Sequence, residues 1–409
     1  VLDISERDDL LSDPPRSSRR APSAHRVPAL DGVRGLAILL VLVAHYRDIS
    51  GAVPLDRALR HVTLLGYTGV DLFFVLSGFL ITGILLDARG GRGFFRVFYA
   101  RRALRILPLY YGIVAALVFV WPVIHRQTAP MLAMLHNQGW YWAYAVNFIW
   151  RDAGRTPYRT GHFWSLAVEE QFYIVWPFVV WWLDRSTLRR ICLACIVGAF
   201  LLRCWGVSAG VDVFSYVPMR MDTLALGALL AIETREPAGL AALAPTARWL
   251  GPVAGLLLAV TFLTGGAWRY GTVVQETIGF SASAIAFAAL VGAASTGWGA
   301  PVLTSRPLRF LGKYSYGIYV FHWPLLLFLG PVYAIVNRIP LVAGSSVLRE
   351  CAFLVVASTI AVGVALASWY LYESRWLALK RFVPEPRGDP VDAPASGGRH
   401  LFSRDRISR

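Results

Sequence analysis

The chain has 409 residues, of which 56% are hydrophobic and 16% charged, where a soluble globular protein carries about a quarter charged residues. Several apolar runs of roughly 20 residues define an all-α class, a polytopic transmembrane helical bundle, and exclude a soluble enzyme. The net charge of +15 does not point to nucleic acid, because the arginines cluster in short loops as the positive-inside rule requires.

Residues 1–27 are polar and rich in Pro, Ser and Arg. They read as a disordered cytoplasmic arm rather than a cleavable signal peptide. The first span, 30–46, lies in the stretch PALDGVRGLAILLVLVAHY and carries Asp31, Arg34 and His45. A charge at membrane depth costs at least ~2.5 kcal/mol, so such residues usually have a partner or a task. Arg34 and His45 are eleven residues apart, which puts them within about 20° of one helix face and ~16 Å apart along the axis. One face thus joins a cation near one surface to an imidazole at the other end of the helix.

The second span, 68–87, contains Gly69-Val-Asp71 and Ser77-Gly78. Asp71 falls at the level of His45 and is positioned to fix its tautomer. Ser77-Gly78 lets a backbone or a slim ligand approach closely. Next comes the strongest electrostatic signal: Arg89, Arg92, Arg96, Arg101, Arg102 and Arg105 within 17 residues and without an acid among them. Arginine forks bind phosphate in bidentate fashion, and anionic lipid headgroups are the ordinary alternative. A third span follows at 106–124.

The stretch 131–150 is apolar but holds His136, Asn137, Gln138 and Asn147. If it does not span, the inner loops and tails carry 27 Lys and Arg against 9 outside; if it does, the tally is 16 inside against 20 outside. Charge bias sets orientation. The reading is therefore about ten spans plus one re-entrant or interfacial segment, with both termini cytoplasmic in a bacterial cytoplasmic (inner) membrane.

The fourth span, 163–183, carries Trp164, Glu169 and Glu170, with His162 just before it. Adjacent glutamates point ~100° apart, so only one is expected to face a given pocket. A desolvated Glu is suited to proton transfer at neutral pH; pairing with Arg203 or Arg220 is the structural alternative. The fifth span, 191–207, holds Cys192, Cys195 and Cys204. With Cys351 these are the only cysteines, and they read as small buried hydrophobes. In the sixth, 213–232, Arg220 and Asp222 are two residues apart and cannot face each other, so each pairs with another span. Two further spans are read at 249–265 and 273–295. The ninth, 314–336, holds Tyr316 and His322 as candidates to line a central polar cavity, with a histidine satisfied inside the core as the more frequent case, and a tenth runs over 347–372. Residues 377–409 read as a disordered cytoplasmic tail, leaving 28–376 as one transmembrane domain.

Five motifs in order carry a resemblance. They are the Arg34–His45 spacing, GVDLFFVLSGFLI at 69–81, RRALRILP at 101–108, FWSLAVEEQFY at 163–173 and GKYSYGIYVFHWP at 312–324. The chain resembles the integral-membrane acyltransferase family 3, the O-acyltransferases of bacterial surface glycans, over about 27–376. The resemblance implies that His45 and Arg34 are the catalytic pair. It implies that Arg101, Arg102 and Arg105 hold acyl-CoA, and that Glu169 is the functional acid, with Glu170 secondary.

Many members carry a fused extracytoplasmic esterase-like domain; the short tail here leads to the expectation of none. The implied function is transfer of an acyl group, acetyl in the first instance, from acyl-CoA to a hydroxyl of a sugar, glycolipid or surface polysaccharide. Asp71 or Glu169 orients His45 in this reading, and Ser77, His162, Trp164, Glu170, Arg220, Asp222, Tyr316 and His322 line or support the acceptor pocket. Acyl-CoA is a co-substrate, and no tightly bound cofactor or metal is needed because the thioester is already activated. The partners are the bilayer, the donor and the acceptor. Two alternatives remain: the same chemistry on a glycosylated secondary metabolite such as a macrolide antibiotic, or a multi-pass transporter or flippase in which the intramembrane charges couple ions.

Overall fold

The structure is a computed structural model that describes residues 27–46, 53–125, 128–149, 159–236, 239, 244–264 and 272–383. The arm up to residue 26 and the tail from 384 lie outside the described residues. Among these residues the chain is helical, with one isolated bridge between Val342 and Ser345.

Helix α1 (Pro28–His45) starts on a proline at its first position, where the missing N–H costs nothing. An amphipathic α2 (Pro54–Leu64) leads through a 3-10 turn into α3 (Gly69–Ala88). The arginine run lies in α4 (Phe94–Ala115), which Gly93 opens at φ 76°; this left-handed conformation suits glycine. A π-helical turn joins α4 to α5 (Trp121–Ile124). The 131–150 stretch forms α6 (Ala129–His136), α7 (Gln138–Trp142) and a 3-10 turn (Val146–Phe148). An eight-residue helix rises only ~12 Å, so the segment does not cross as one continuous helix.

Then follow α8 (Phe163–Trp182), α9 (Arg185–Ser208), α10 (Val217–Glu233), α11 (Ala244–Thr264) and α12 (Phe280–Ser295). Asp184 caps α9 by accepting the Ser186 and Thr187 N–H groups at 3.0 and 3.3 Å. A short α13 (Ala300–Leu303) precedes α14 (Arg306–His322). The ninth expected span is thus displaced: the helix begins at Arg306 and ends at His322, where Pro324 opens a 3-10 turn before α15 (Gly330–Val336). Proline removes a backbone donor and breaks the ladder there. Finally α16 (Val347–Ser368) runs through a π-helical turn (Trp369–Glu373) into α17 (Ser374–Ala378) and a 3-10 turn (Leu379–Phe382). Residues 377–382, assigned above to a disordered tail, are therefore helical and pack on α4.

Among the described residues, six helical segments are long and apolar enough to cross a membrane: Pro28–His45, Pro54–Ala88, Phe94–Ile124, Arg185–Ser208, Gln275–Ser295 and Val347–Phe382. This is a membrane protein. The other long helices fall short of that measure for a physical reason. α8 carries Glu169, Glu170 and Gln171, α10 and α14 have 17 residues each and carry charges, and the apolar part of α11 is Gly251–Thr261. Three of these four supply the polar groups of the site. By contrast, α9 presents Leu193, Val197, Leu201 and Trp205, each about half exposed, at four-residue spacing. That is a stripe suited to lipid.

Glycine sets how closely the central helices meet. A Cβ on Gly312 of α14 would overlap the Asp31 carbonyl of α1, and one on Gly35 would overlap the Leu308 carbonyl. Gly78 of α3 and Gly227 of α10 make the same kind of contact with Leu224 and Val75 carbonyls. Small residues let backbones approach where lipid offers no hydrophobic drive between helices.

Candidate active site

Two cavities lie among these helices. The first, about 750 Å³ including its open mouth, is lined by Arg34 of α1, Ser77 of α3, Arg102 and Arg105 of α4, Glu169 and Glu170 of α8 and Tyr316 of α14. Glu169 accepts from the Ser77 hydroxyl at 2.8 Å and from the Tyr173 hydroxyl at 3.3 Å, and Tyr173 donates to Ser77 at 2.9 Å. Tyr173 lies one helical turn from Glu169, so the pair shares a face. The Arg102 guanidinium sits 5.7 Å from the Tyr173 ring centroid, within cation–π range. Arg34 holds Asp31 at 3.3 Å. Both glutamates reach this cavity, contrary to the expectation that only one faces it; the cavity wraps far enough round α8 to meet side chains ~100° apart.

The second cavity, about 690 Å³, is lined by His45, Tyr67, His162, Trp164 and Trp323, with Asp71 and Arg220 in its wall. Val70 and Tyr319 line both cavities. Tyr319 is fixed there by a 2.5 Å hydrogen bond with Ser165 and by donating to the His162 carbonyl at 3.1 Å. Val70 of α3 and Tyr319 of α14 therefore form a wall common to the two chambers.

His45 Nδ1 lies 2.8 Å from the Val41 carbonyl. A carbonyl only accepts, so Nδ1 carries the proton and Nε2 the lone pair. The ring packs edge-on to Tyr67 and His322 at 5.1 and 5.0 Å, and at 4.6 Å from Trp323. Tyr46, the next residue, donates to the His322 carbonyl at 2.7 Å and ties the end of α1 to α14.

The expectation that Asp71 orients His45 is corrected. One Asp71 oxygen pairs with Arg220 and the other accepts from Ser283 at 2.8 Å. Asp222 instead holds Arg203 at 2.6 Å. Arg220 and Asp222 thus each pair across helices, as their spacing requires, and neither arginine is taken by Glu169 or Glu170. A buried arginine finds its carboxylate on a facing helix because an unpaired charge there is costly. Arg220 also lies 4.1 Å from the Phe280 ring centroid.

Two further placements bear on the readings above. Arg101 turns from the first cavity toward the C-terminal segment, donating to the Val383 carbonyl at 3.1 Å. Tyr316 and His322 do not share a cavity. They are six residues apart, more than a turn and a half. Tyr316 lines the arginine chamber and donates to Ile106 at 2.7 Å, whereas His322 sits buried behind His45 and His162. Sequence reasoning missed Tyr319, Tyr67 and Trp323. Tyr319 and Trp323 had a usable signal, since both lie beside His322 within the 312–324 motif, but Tyr67 had none beyond being aromatic.

Fold and site together define a helical membrane protein with a charged chamber and an imidazole chamber that share one wall. The chain matches the family described as Acyltransferase domain over residues 27–373, and it belongs to that family, the integral-membrane acyltransferases of family 3. It is 31% identical to a Bacillus subtilis protein provisionally named a peptidoglycan O-acetyltransferase, over 77% of this chain and 51% of the relative. It is 28% identical to the peptidoglycan O-acetyltransferase OatA of Listeria monocytogenes, over 80% of this chain and 54% of the relative. A provisionally named O-acetyltransferase of Staphylococcus aureus is 27% identical over 75% and 52%. The chain spans about half the length of these relatives. No solved structure matches it.

Proposed function

We propose that the protein is a membrane O-acyltransferase that moves an acyl group, acetyl in the first instance, from acyl-CoA to a hydroxyl of a cell-envelope glycan. The observation that carries this reading is the shared wall: the cavity with Arg34, Arg102 and Arg105 and the cavity with His45 have Val70 and Tyr319 in common, and in this reading that wall is the neck through which the acyl group passes. The names of the relatives support the acetyl group and the glycan acceptor. About ten spans in a bacterial cytoplasmic membrane, with both termini inside, complete the proposal and set the arginine chamber toward the cytoplasm.

The donor's phosphates lie against the arginines, which offer paired donors to phosphate oxygens. The thioester reaches toward the neck, and the acceptor hydroxyl enters the His45 chamber. His45 Nε2 takes the hydroxyl proton as the oxygen attacks the thioester carbon. The C–O bond forms, the C–S bond breaks, and the proton passes from His45 to the departing thiolate. Transient acylation of His45 is the covalent variant of the same step. Arg34 stabilises negative charge on the donor side, and Glu169, held by Ser77 and Tyr173, balances the arginines. No bound cofactor is required, since the thioester supplies the activated acyl group.

Membranes containing the protein, incubated with radiolabelled acetyl-CoA, test this. Label should pass to the glycan or lipid fraction with wild type and be lost with His45→Ala at matched expression. Wild-type protein that neither binds CoA nor transfers label would sink the reading.

A further inference from the structure

A third cavity, about 340 Å³ including its mouth, opens beside the arginine chamber and shares Arg105 and Tyr316 with it. Its other walls are Lys313 of α14, Trp369 and Glu373 of the π-helical turn, and Leu377 of α17. The Lys313 ammonium lies 4.9 and 5.6 Å from the Tyr314 and Trp369 ring centroids. Hydrogen bonds close the C-terminal segment over this region: Tyr372 donates to the Pro108 carbonyl at 3.1 Å, and Arg101 to the Val383 carbonyl at 3.1 Å. The 3-10 turn that carries Lys380 thereby packs on α4, the helix of Arg101, Arg102 and Arg105.

The charge balance here is lopsided. Glu373 lines this cavity, buried and accepting from Ser368 at 3.0 Å, and Glu169 and Glu170 line the adjoining arginine chamber, so three carboxylates face Arg34, Arg102, Arg105, Lys313 and Lys380. Among the described residues Arg102, Arg105, Lys313 and Lys380 form no ion pair. Four cations held together by three separate parts of the chain repel one another. Such a cluster is stable when an anion of matching charge completes it. Ammonium groups suit phosphate as compact point charges beside the arginine forks.

We propose that Lys313 and Lys380, brought to the arginine run by the folded C-terminal turn, form a phosphate-binding annexe of the site. This rests on the acyl-CoA reading above and adds to it. The arginines of α4 hold one part of the donor's phosphates, and the two lysines hold the remainder beyond Tyr316. The C-terminal turn is then part of the binding site.

The test uses the full chain in phosphatidylcholine nanodiscs, titrated with CoA, inorganic pyrophosphate and short-chain phosphatidylglycerol. The proteins compared are wild type, K313Q/K380Q and K313R/K380R. The glutamine pair is expected to weaken CoA binding roughly tenfold or more, with the arginine pair restoring it and with the difference shrinking at high salt. Loss confined to phosphatidylglycerol would keep the phosphate annexe but assign it to a lipid headgroup. Equal binding of all three probes by wild type and the glutamine pair overturns the proposal. Wild type that binds pyrophosphate through the lysines but not CoA separates the annexe from the acyl-donor reading, which alone would fail. The arginine pair and an unchanged elution profile guard against misfolding as the cause.

Discussion

At the scale of single residues, the buried ion pairs decide how the His45 chamber stands. Asp71 is 2% exposed and Arg220 2%; one Asp71 oxygen is taken by Arg220 and the other by Ser283. Breaking a buried pair from one side leaves an uncompensated charge and costs about 3–5 kcal/mol, whereas removing both costs far less. Asp71→Asn alone is therefore expected to lower the melting temperature in detergent more than D71N/R220Q does. Equal or additive losses would show that the pair is not coupled. The pairing itself was half legible. Two-residue spacing on one helix forbade Arg220–Asp222 and demanded partners elsewhere, but which partners depends on how α3, α9 and α10 are set side by side. Asp71 was assigned to His45 because sequence gives axial level and not azimuth. The tautomer of His45 was likewise unreadable, because it is fixed by the Val41 carbonyl one turn back.

At the scale of elements, glycine contact is what holds α1, which carries both Arg34 and His45, in register with α14. At Gly312 the Asp31 carbonyl occupies the space a Cβ needs, so the helices must part or slide to admit a methyl group. Overpacking of this kind typically costs 1–3 kcal/mol, about the size of a large single-site effect. Gly312→Ala is expected to lower thermal stability and to cut transfer, since any slide of α1 moves His45 relative to the neck. Gly363 of α16 is the control: nothing lies within 4 Å of its would-be Cβ. Alanine there should be neutral or stabilise by up to ~1 kcal/mol through helix propensity. If both substitutions behaved alike, close packing at Gly312 would not be what sets α1. Element boundaries were legible where apolar runs met proline or glycine cleanly, as in α1 and α16. They failed at α14, where an aromatic, partly polar run concealed a helix start at Arg306 and apolar residues after Pro324 mimicked its continuation.

At the scale of the molecule, apolar length found much of the bundle, while α8, α10 and α14, which it measured less well, join α1, α3 and α4 in lining the site. The motifs in α1, α3, α4, α8 and α14 were readable as strings, and the structure gathers them round two chambers. What no string carried is the division between those chambers, because Val70 and Tyr319 belong to different helices and only one of them is polar. That division gives the sharpest expectation. Val70 is 8% exposed and faces both cavities. An indole in its place fills the neck while leaving the arginines and His45 untouched in sequence. Val70→Trp should bind CoA within about twofold of wild type, an energy difference below ~0.5 kcal/mol, and yet lose acyl transfer by two orders of magnitude or more, roughly 2.7 kcal/mol of barrier. Val70→Ala, which widens the neck, should retain transfer. Joint loss of binding and transfer in Val70→Trp would mean that the arginine chamber itself had collapsed, a result the elution profile and Val70→Ala would expose. Undiminished transfer in Val70→Trp would mean that the acyl group does not pass between Val70 and Tyr319, and the two chambers would then serve separate purposes.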